Sequence, residues 1–337
     1  MAAGPPFREA PRRPPRHDAR MPAAWTDAQV ELAQRVAGSD VVSVRQWTPQ
    51  ELRTLLEIVE RFEGIHDPLL QGKVLGVLFF EPSTRTRLSF ESAMMRLGGS
   101  CLGFADAQIS STSKGESLWD TVRMAECYCD IIVIRHPREG AARVAAEATA
   151  LPVVNGGDGA NQHPTQTLLD LYTIHRRKGV VEGLKVGFLG DLKYGRAAHS
   201  LIEALGKLGN DLVLVSPQAL RLPRRRLDEL DERGVRWTET TEMLDAVPAL
   251  DVLYVTRIQQ ERFGDPLEYE RVKNTYQVDL SVLDRAKPGM VVMHPLPRVT
   301  EIHPSLDASP QAAYFEQARN GVTVRKALLA LLMGALP

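Results

Sequence analysis

The chain has 337 residues, 44% of them hydrophobic and 25% charged, with a formal net charge of -1. That is enough apolar material for two globular cores, and near-neutrality excludes the basic excess of a nucleic-acid-binding protein. No apolar run approaches the roughly 18 residues that span a bilayer, and three cysteines, Cys101, Cys127 and Cys129, exclude a disulfide framework and suit a reducing cytoplasm.

Residues 1–40 read as a disordered tail, because the Pro- and Arg-rich stretch Met1–Pro22 has no apolar period to bury. It lacks the apolar centre of a secretory signal, its prolines argue against an organelle transit peptide, and Met21 is an alternative start. Thr48-Pro49-Gln50-Glu51 has the spacing of a capping box, and Leu52, Leu55, Leu56 and Val59 give the following helix one apolar face. Beyond it, apolar strands alternate with helical patterns. The strands are Val74–Phe80, Ile131–Ile134, Val153–Val154, Val186–Leu189, Leu212–Val215, Val252–Val255 and Val291–Met293. The helices include Arg85–Leu97, Ala141–Ala148, Pro164–Lys178, Arg196–Leu208 and Arg224–Glu232, and an apolar helix over Ala312–Leu336. Near-continuous apolar strands between helices predict α/β architecture: two doubly wound domains, each a mainly parallel sheet flanked by helices, joined by bridging helices. The first domain spans 41–176 and takes back the C-terminal helix 312–337; the second spans 177–311. Cys127-Tyr128-Cys129 lacks a second pair and reads as buried cysteines beside a strand, not as a metal site.

Polar clusters stand where these strands end, the place where ligands bind in open α/β sheets. The first is Ser83-Thr84-Arg85-Thr86, where a strand breaks into a helix start; unpaired N–H groups and a partial positive charge there suit a phosphate. The others are Arg135-His136-Pro137, Asn161-Gln162-His163-Pro164-Thr165-Gln166, Gly190–Arg196, Thr256-Arg257-Ile258-Gln259 and His294-Pro295-Leu296-Pro297-Arg298. Ser110–Glu116 reads as a mobile polar loop leading into a helix. Singly, each has a plain structural reading: a surface arginine, a hydrogen-bonded histidine, a serine cap. Together, Arg85, Arg135, Arg196 and Arg257 fall at the same end of the sheets, which implies ligands with several negative charges met by bidentate contacts. No acid pair, cysteine nucleophile or metal cluster accompanies them, so the chemistry rests on positioning and charge stabilisation. Gly190–Arg196 lacks the G-x-G-x-x-G spacing of a dinucleotide fingerprint.

Ser83-Thr84-Arg85-Thr86 resembles the carbamoyl-phosphate signature of the carbamoyltransferases, and His163-Pro164-Thr165-Gln166 is shared across that superfamily. Gly190–Arg196, Arg257-Ile258-Gln259 and His294–Arg298 are similar to the catalytic chains of the aspartate branch. Ornithine enzymes typically carry cysteine where Pro295 stands. The resemblance runs from about Val42 onward. It implies that the first domain binds carbamoyl phosphate and the second aspartate, giving N-carbamoyl-L-aspartate and phosphate in the second step of pyrimidine biosynthesis.

By that resemblance, Ser83, Thr84, Arg85 and Thr86 would hold the phosphate. Thr86, Arg135 and His163 would polarise the carbamoyl oxygen, and Gln166 would orient its nitrogen. Arg196, Arg257 and Gln259 would bind the aspartate carboxylates, and Leu296 and Pro297 would offer backbone carbonyls. Ser110 and Lys114 would reach the site of a neighbouring subunit, which makes a homotrimer with shared sites. No metal or organic cofactor is implied; the family's zinc belongs to separate regulatory chains. The alternatives are ornithine or another amino-acid acceptor, disfavoured by Arg257 beside Gln259, and a non-catalytic paralogue, disfavoured by the intact motifs.

Overall fold

The computed structural model describes residues 24–105, 115–260 and 263–336. Its first unit runs α1 (Asp27–Val36), α2 (Pro49–Arg61), β1 (Val74–Phe79), α3 (Thr84–Arg96), β2 (Ser100–Phe104), α4 (Leu118–Glu126), β3 (Ile131–His136), α5 (Ala141–Ala148) and β4 (Val153–Asp158). Helix α6 (Pro164–Lys178) leads into the second unit. There follow β5 (Lys185–Leu189), α7 (Arg196–Lys207), β6 (Asp211–Val215), α8 (Arg224–Glu232), β7 (Trp237–Thr240), α9 (Met243–Ala246), β8 (Val252–Val255), α10 (Pro266–Val272), α11 (Leu280–Leu283) and β9 (Val291–Met293). Helix α12 (Tyr314–Leu332) returns to pack on α2, α3 and α6.

Among the described residues the strands form a four-stranded sheet, β2-β1-β3-β4, and a five-stranded sheet, β7-β6-β5-β8-β9. Every pairing is parallel. In the first sheet Val77 of β1 stands opposite Gly103 of β2 and Val133 of β3; in the second, Gly187 of β5 stands opposite Val213 and Leu253. Each sheet winds outward from its first strand and then restarts on that strand's other side. The switch points therefore lie between β1 and β3, and between β5 and β8, and their carboxyl ends open a crevice.

The period-2 alternation of strand side chains sorts the core. Leu75, Val77 and Phe79 of β1, Val186 and Phe188 of β5, and Leu168, Leu171 and Ile174 of α6 belong to one apolar cluster shared by both units. The opposite face of the first sheet packs Leu78, Ile132 and Ile134 against α4 and α5. That of the second packs Leu189, Leu253 and Val255 against Val247, Val278 and Val282. Leu328, Leu329, Leu331 and Leu332 of α12 are buried in the shared cluster.

Three expectations are corrected. The tail does not extend to residue 40. Thr26 Oγ1 accepts from the Gln29 N–H at 3.3 Å and Gln29 Oε1 from the Thr26 N–H at 3.2 Å, a capping box that starts α1. Leu32, Ala33 and Val36 are buried, and the Val41 N–H donates to Val153 O, so the chain is packed from α1 onward. Residues 1–23 lie outside the described residues. Secondly, β2 and β7 were not anticipated: β2, Ser-Cys-Leu-Gly-Phe, is short and largely solvent-facing, and β7 reads Trp-Thr-Glu-Thr, with no apolar run. Thirdly, Cys127 is exposed, because it ends α4 at the surface with Sγ 3.6 Å from Arg123 O. Cys101 and Cys129 are half-buried.

Candidate active site

The crevice is a cavity of about 790 Å³. It brings together Ser83, Thr84, Arg85, Thr86, Arg135, His163 and Gln166 from the first switch point and α6 with Arg196, Arg257, Gln259, Leu296 and Pro297 from the second unit. Ser110 and Lys114 lie outside the described residues. One contact fixes how close the two loops of the second switch point come. Gly190, at φ +118°, would place a Cβ 2.2 Å from Thr256 O, so only glycine lets the end of β5 approach the end of β8.

At the start of α3, Ser83 makes no side-chain capping bond. The plain reading of that serine as a cap therefore fails, and Ser83, Thr84, Arg85 and Thr86 line the cavity where the first N–H groups of α3 have no intrahelical partner. Arg85 is exposed in the cavity wall; partial burial, then the charge of Arg257, lowers its pKa. Two guanidiniums that disfavour one another mark a place for an anion.

Thr86 is buried, with Oγ1 3.5 Å from His163 Nε2. His163 opens α6, and its backbone N–H donates to Ser200 Oγ of α7 at 3.1 Å. Burial, then the charges of Arg135, Arg196 and Arg325, hold its pKa well below the usual imidazole range. The ring is neutral and carries one N–H, and its buried Nδ1 has no hydrogen-bond partner among the described residues.

Arg135 donates from Nη1 to Gly156 O at 3.2 Å and from Nη2 to Glu81 Oε1 at 3.3 Å. Arg196, the first residue of α7, takes Glu81 in a fork with both contacts at 3.1 Å and also donates to Gly159 O at 2.7 Å. Glu81 thus links an arginine of each unit. Leu296 has φ +54°, unusual for a residue with a Cβ. Its N–H donates to His294 Nδ1 at 2.7 Å, and His294 Nε2 donates to the buried Glu301 at 2.8 Å. Arg298, from the same motif, turns away to pair with Asp307 and stack on Tyr314.

Glu81 and Arg325 were missed in the sequence. Glu81 stands between the strand Val74–Phe80 and the cluster Ser83–Thr86, an acid at the end of a buried strand. Arg325 interrupts an apolar helix; it is 2% exposed, donates to Ser89 Oγ and Thr165 Oγ1, stacks on Phe90 and lines the cavity. Among the described residues no group of His, Cys, Asp and Glu is placed to hold a metal ion.

The sequence comparisons agree with this geometry. The aspartate/ornithine carbamoyltransferase carbamoyl-P binding domain matches residues 39–176, and the Asp/Orn binding domain of the same family matches 182–332. The chain belongs to the aspartate/ornithine carbamoyltransferase family. Within that family it is 57% identical to an aspartate carbamoyltransferase catalytic subunit from Thermococcus onnurineus, over 89% of this chain and 98% of that one. The catalytic subunit of M. jannaschii aspartate transcarbamoylase superposes with a TM-score of 0.80 at 47% identity, covering 86% of this chain and 96% of that one. The Trypanosoma cruzi aspartate transcarbamoylase, solved with carbamoyl phosphate and aspartate, gives a TM-score of 0.83 at 38% identity, covering 89% and 98%.

Proposed function

We propose that this chain transfers the carbamoyl group of carbamoyl phosphate to the amino group of L-aspartate, a step of pyrimidine biosynthesis. The observation that carries the reading is one cavity joining the free N-terminus of α3, suited to a phosphate, to Arg196 and Arg257 of the second unit, suited to carboxylates. The phosphate lies on Ser83, Thr84, Arg85 and Thr86. The carbamoyl oxygen faces Thr86, Arg135 and His163, and Gln166 faces its nitrogen. Arg196, Arg257 and Gln259 take the aspartate carboxylates, and the Leu296 and Pro297 carbonyls lie near the nitrogen groups.

The neutral amine attacks the carbamoyl carbon, the C–O bond to phosphorus breaks, and the departing phosphate takes the amine's proton. Charge building on the carbamoyl oxygen meets donors already in place. A neutral His163 fits as a donor and cannot repel the arginines. Arg196 must exchange some of its hold on Glu81 for the substrate's carboxylate.

We also read the chain as a homotrimer in which Ser110 and Lys114 enter a neighbour's cavity. Met95 on α3, Leu102 on β2, and Trp119 and Met124 on α4 are exposed apolar side chains on the elements flanking residues 106–114, which supports a covered face there. Purified protein supplied with carbamoyl phosphate should form ureido product with aspartate in a colorimetric assay. Product with ornithine alone, or with neither, overturns the proposal.

A further inference from the structure

Beneath the cavity lies a buried carboxylate that the reaction above does not use. Asp170 of α6 is fully buried and does not line the cavity. It stands one turn beyond Gln166 on the same helix face, and its Oδ1 is 2.8 Å from Gln166 Nε2. The same oxygen takes Gln317 Nε2 of α12 at 2.6 Å, and Oδ2 takes the Tyr254 hydroxyl of β8 at 2.8 Å.

The polarity of this cluster is settled from its far end. The backbone N–H of His294 can only donate, and it donates to Gln317 Oε1 at 2.9 Å. Gln317 must therefore turn its NH2 toward Asp170. Oδ1 is then an acceptor, so Gln166 also presents its NH2 to Asp170 and leaves its carbonyl oxygen for the cavity, which Gln166 lines. Apart from Glu81, the polar side chains around that cavity are largely donors: Arg85, Arg135, Arg196, Arg257 and His163. An acceptor held in a fixed sense among these donors favours the NH2 end of a planar ligand against it.

We propose that Asp170 is a positioning residue that holds Gln166 with its carbonyl oxygen toward the cavity, so that the pocket selects the NH2 of a carbamoyl group. The proposal rests on the reading of this cavity as the carbamoyl-phosphate site. It also extends that site to the second unit, because Tyr254 and His294 both belong to the chain of hydrogen bonds that orients Gln166.

Two stable ligands differ only at the selected group: phosphonoacetamide, with NH2, and 2-oxopropylphosphonate, with methyl. Their affinities are measured by titration calorimetry on the full chain, and the readout is their ratio, which does not depend on the folded fraction. Wild type should prefer the amide by roughly five- to tenfold, the scale of one hydrogen bond. Gln166→Ala should lose that preference, and so should Asp170→Ala, although it leaves Gln166 in place. Should the alanine variant not fold, Asp170→Ser, too short to hold both glutamines, takes its place with the same expected ratio. Loss of preference in Gln166→Ala with the wild-type ratio kept in the Asp170 variant overturns the role of Asp170. No preference in wild type overturns the carbamoyl reading itself, and a preference kept in Gln166→Ala overturns the role of Gln166 and with it that of Asp170.

Discussion

Replacing His163 by Ala tests the oxyanion role directly. The ring is buried, neutral and 3.5 Å from Thr86 Oγ1, with three arginines around it. Its contribution is therefore one N–H dipole in a water-poor pocket, not a charge and not a proton store. Removing one such donor costs about 3 kcal/mol in barrier, so kcat should fall about 10²-fold while carbamoyl-phosphate affinity changes little. The second readout is pH. A histidine that titrated near its ordinary 6.5 would bend the wild-type kcat profile there, and the bend would vanish in the variant. With the pKa held well below 6.5, no bend of that origin should appear between pH 6 and 8. Steady-state rates from pH 5.5 to 8.5 on both proteins decide the matter. An unchanged kcat in His163→Ala, or a bend near 6.5 that the substitution removes, refutes the reasoning.

Gly190→Ala puts a Cβ 2.2 Å from Thr256 O at a φ of +118°. It should cost at least about 2 kcal/mol in denaturant unfolding and reduce turnover by parting Arg196 from Arg257; a stable, fully active variant would contradict the close approach. His199 is buried and its pKa lowered to about 4, first by burial and then by Arg226, so between 6.5 and 4 the unfolded chain binds a proton that the folded one refuses. Its share of stability, about 3 kcal/mol, should be lost as pH falls through that window, and His199→Asn should flatten the loss; equal slopes in both proteins count against it. Asp170 acts in the opposite sense. Burial raises its pKa to about 7, so its contribution is lost as pH rises toward 7. Finally, mixing Lys114→Ala with Arg85→Ala under subunit exchange should restore activity that neither has alone; no recovery in verified mixed trimers excludes a site built from two chains.

Much of the fold was visible because buried parallel strands are apolar throughout, as in Val74–Phe79 and Val252–Val255. Of the edge strands, β7 reads Trp-Thr-Glu-Thr and β2, Ser-Cys-Leu-Gly-Phe, is short and largely solvent-facing. The arginines were legible because each lies at or just beyond the end of an apolar strand in chain order, and parallel topology puts all strand ends together. Glu81 and Asp170 were not. Their importance comes from which neighbours fold against them, Arg196 in one case and Gln317 and Tyr254 in the other, and those partners are distant in the chain. The serine at the head of α3 shows the reverse difficulty: its residue type suggests a cap, and only the geometry shows the hydroxyl left unspent.

Helix α12 has a consequence for biosynthesis. Its leucines close a core whose other walls, α2, α3 and α6, precede the entire second sheet in the chain. On the ribosome those walls emerge first and wait, with an apolar groove uncovered, until more than a hundred further residues have been made. The second unit can thus acquire its sheet before the first has its full core. Order of synthesis and order of completion are reversed, and a chain stopped before α12 should be held by chaperones or aggregate instead of yielding a working first half.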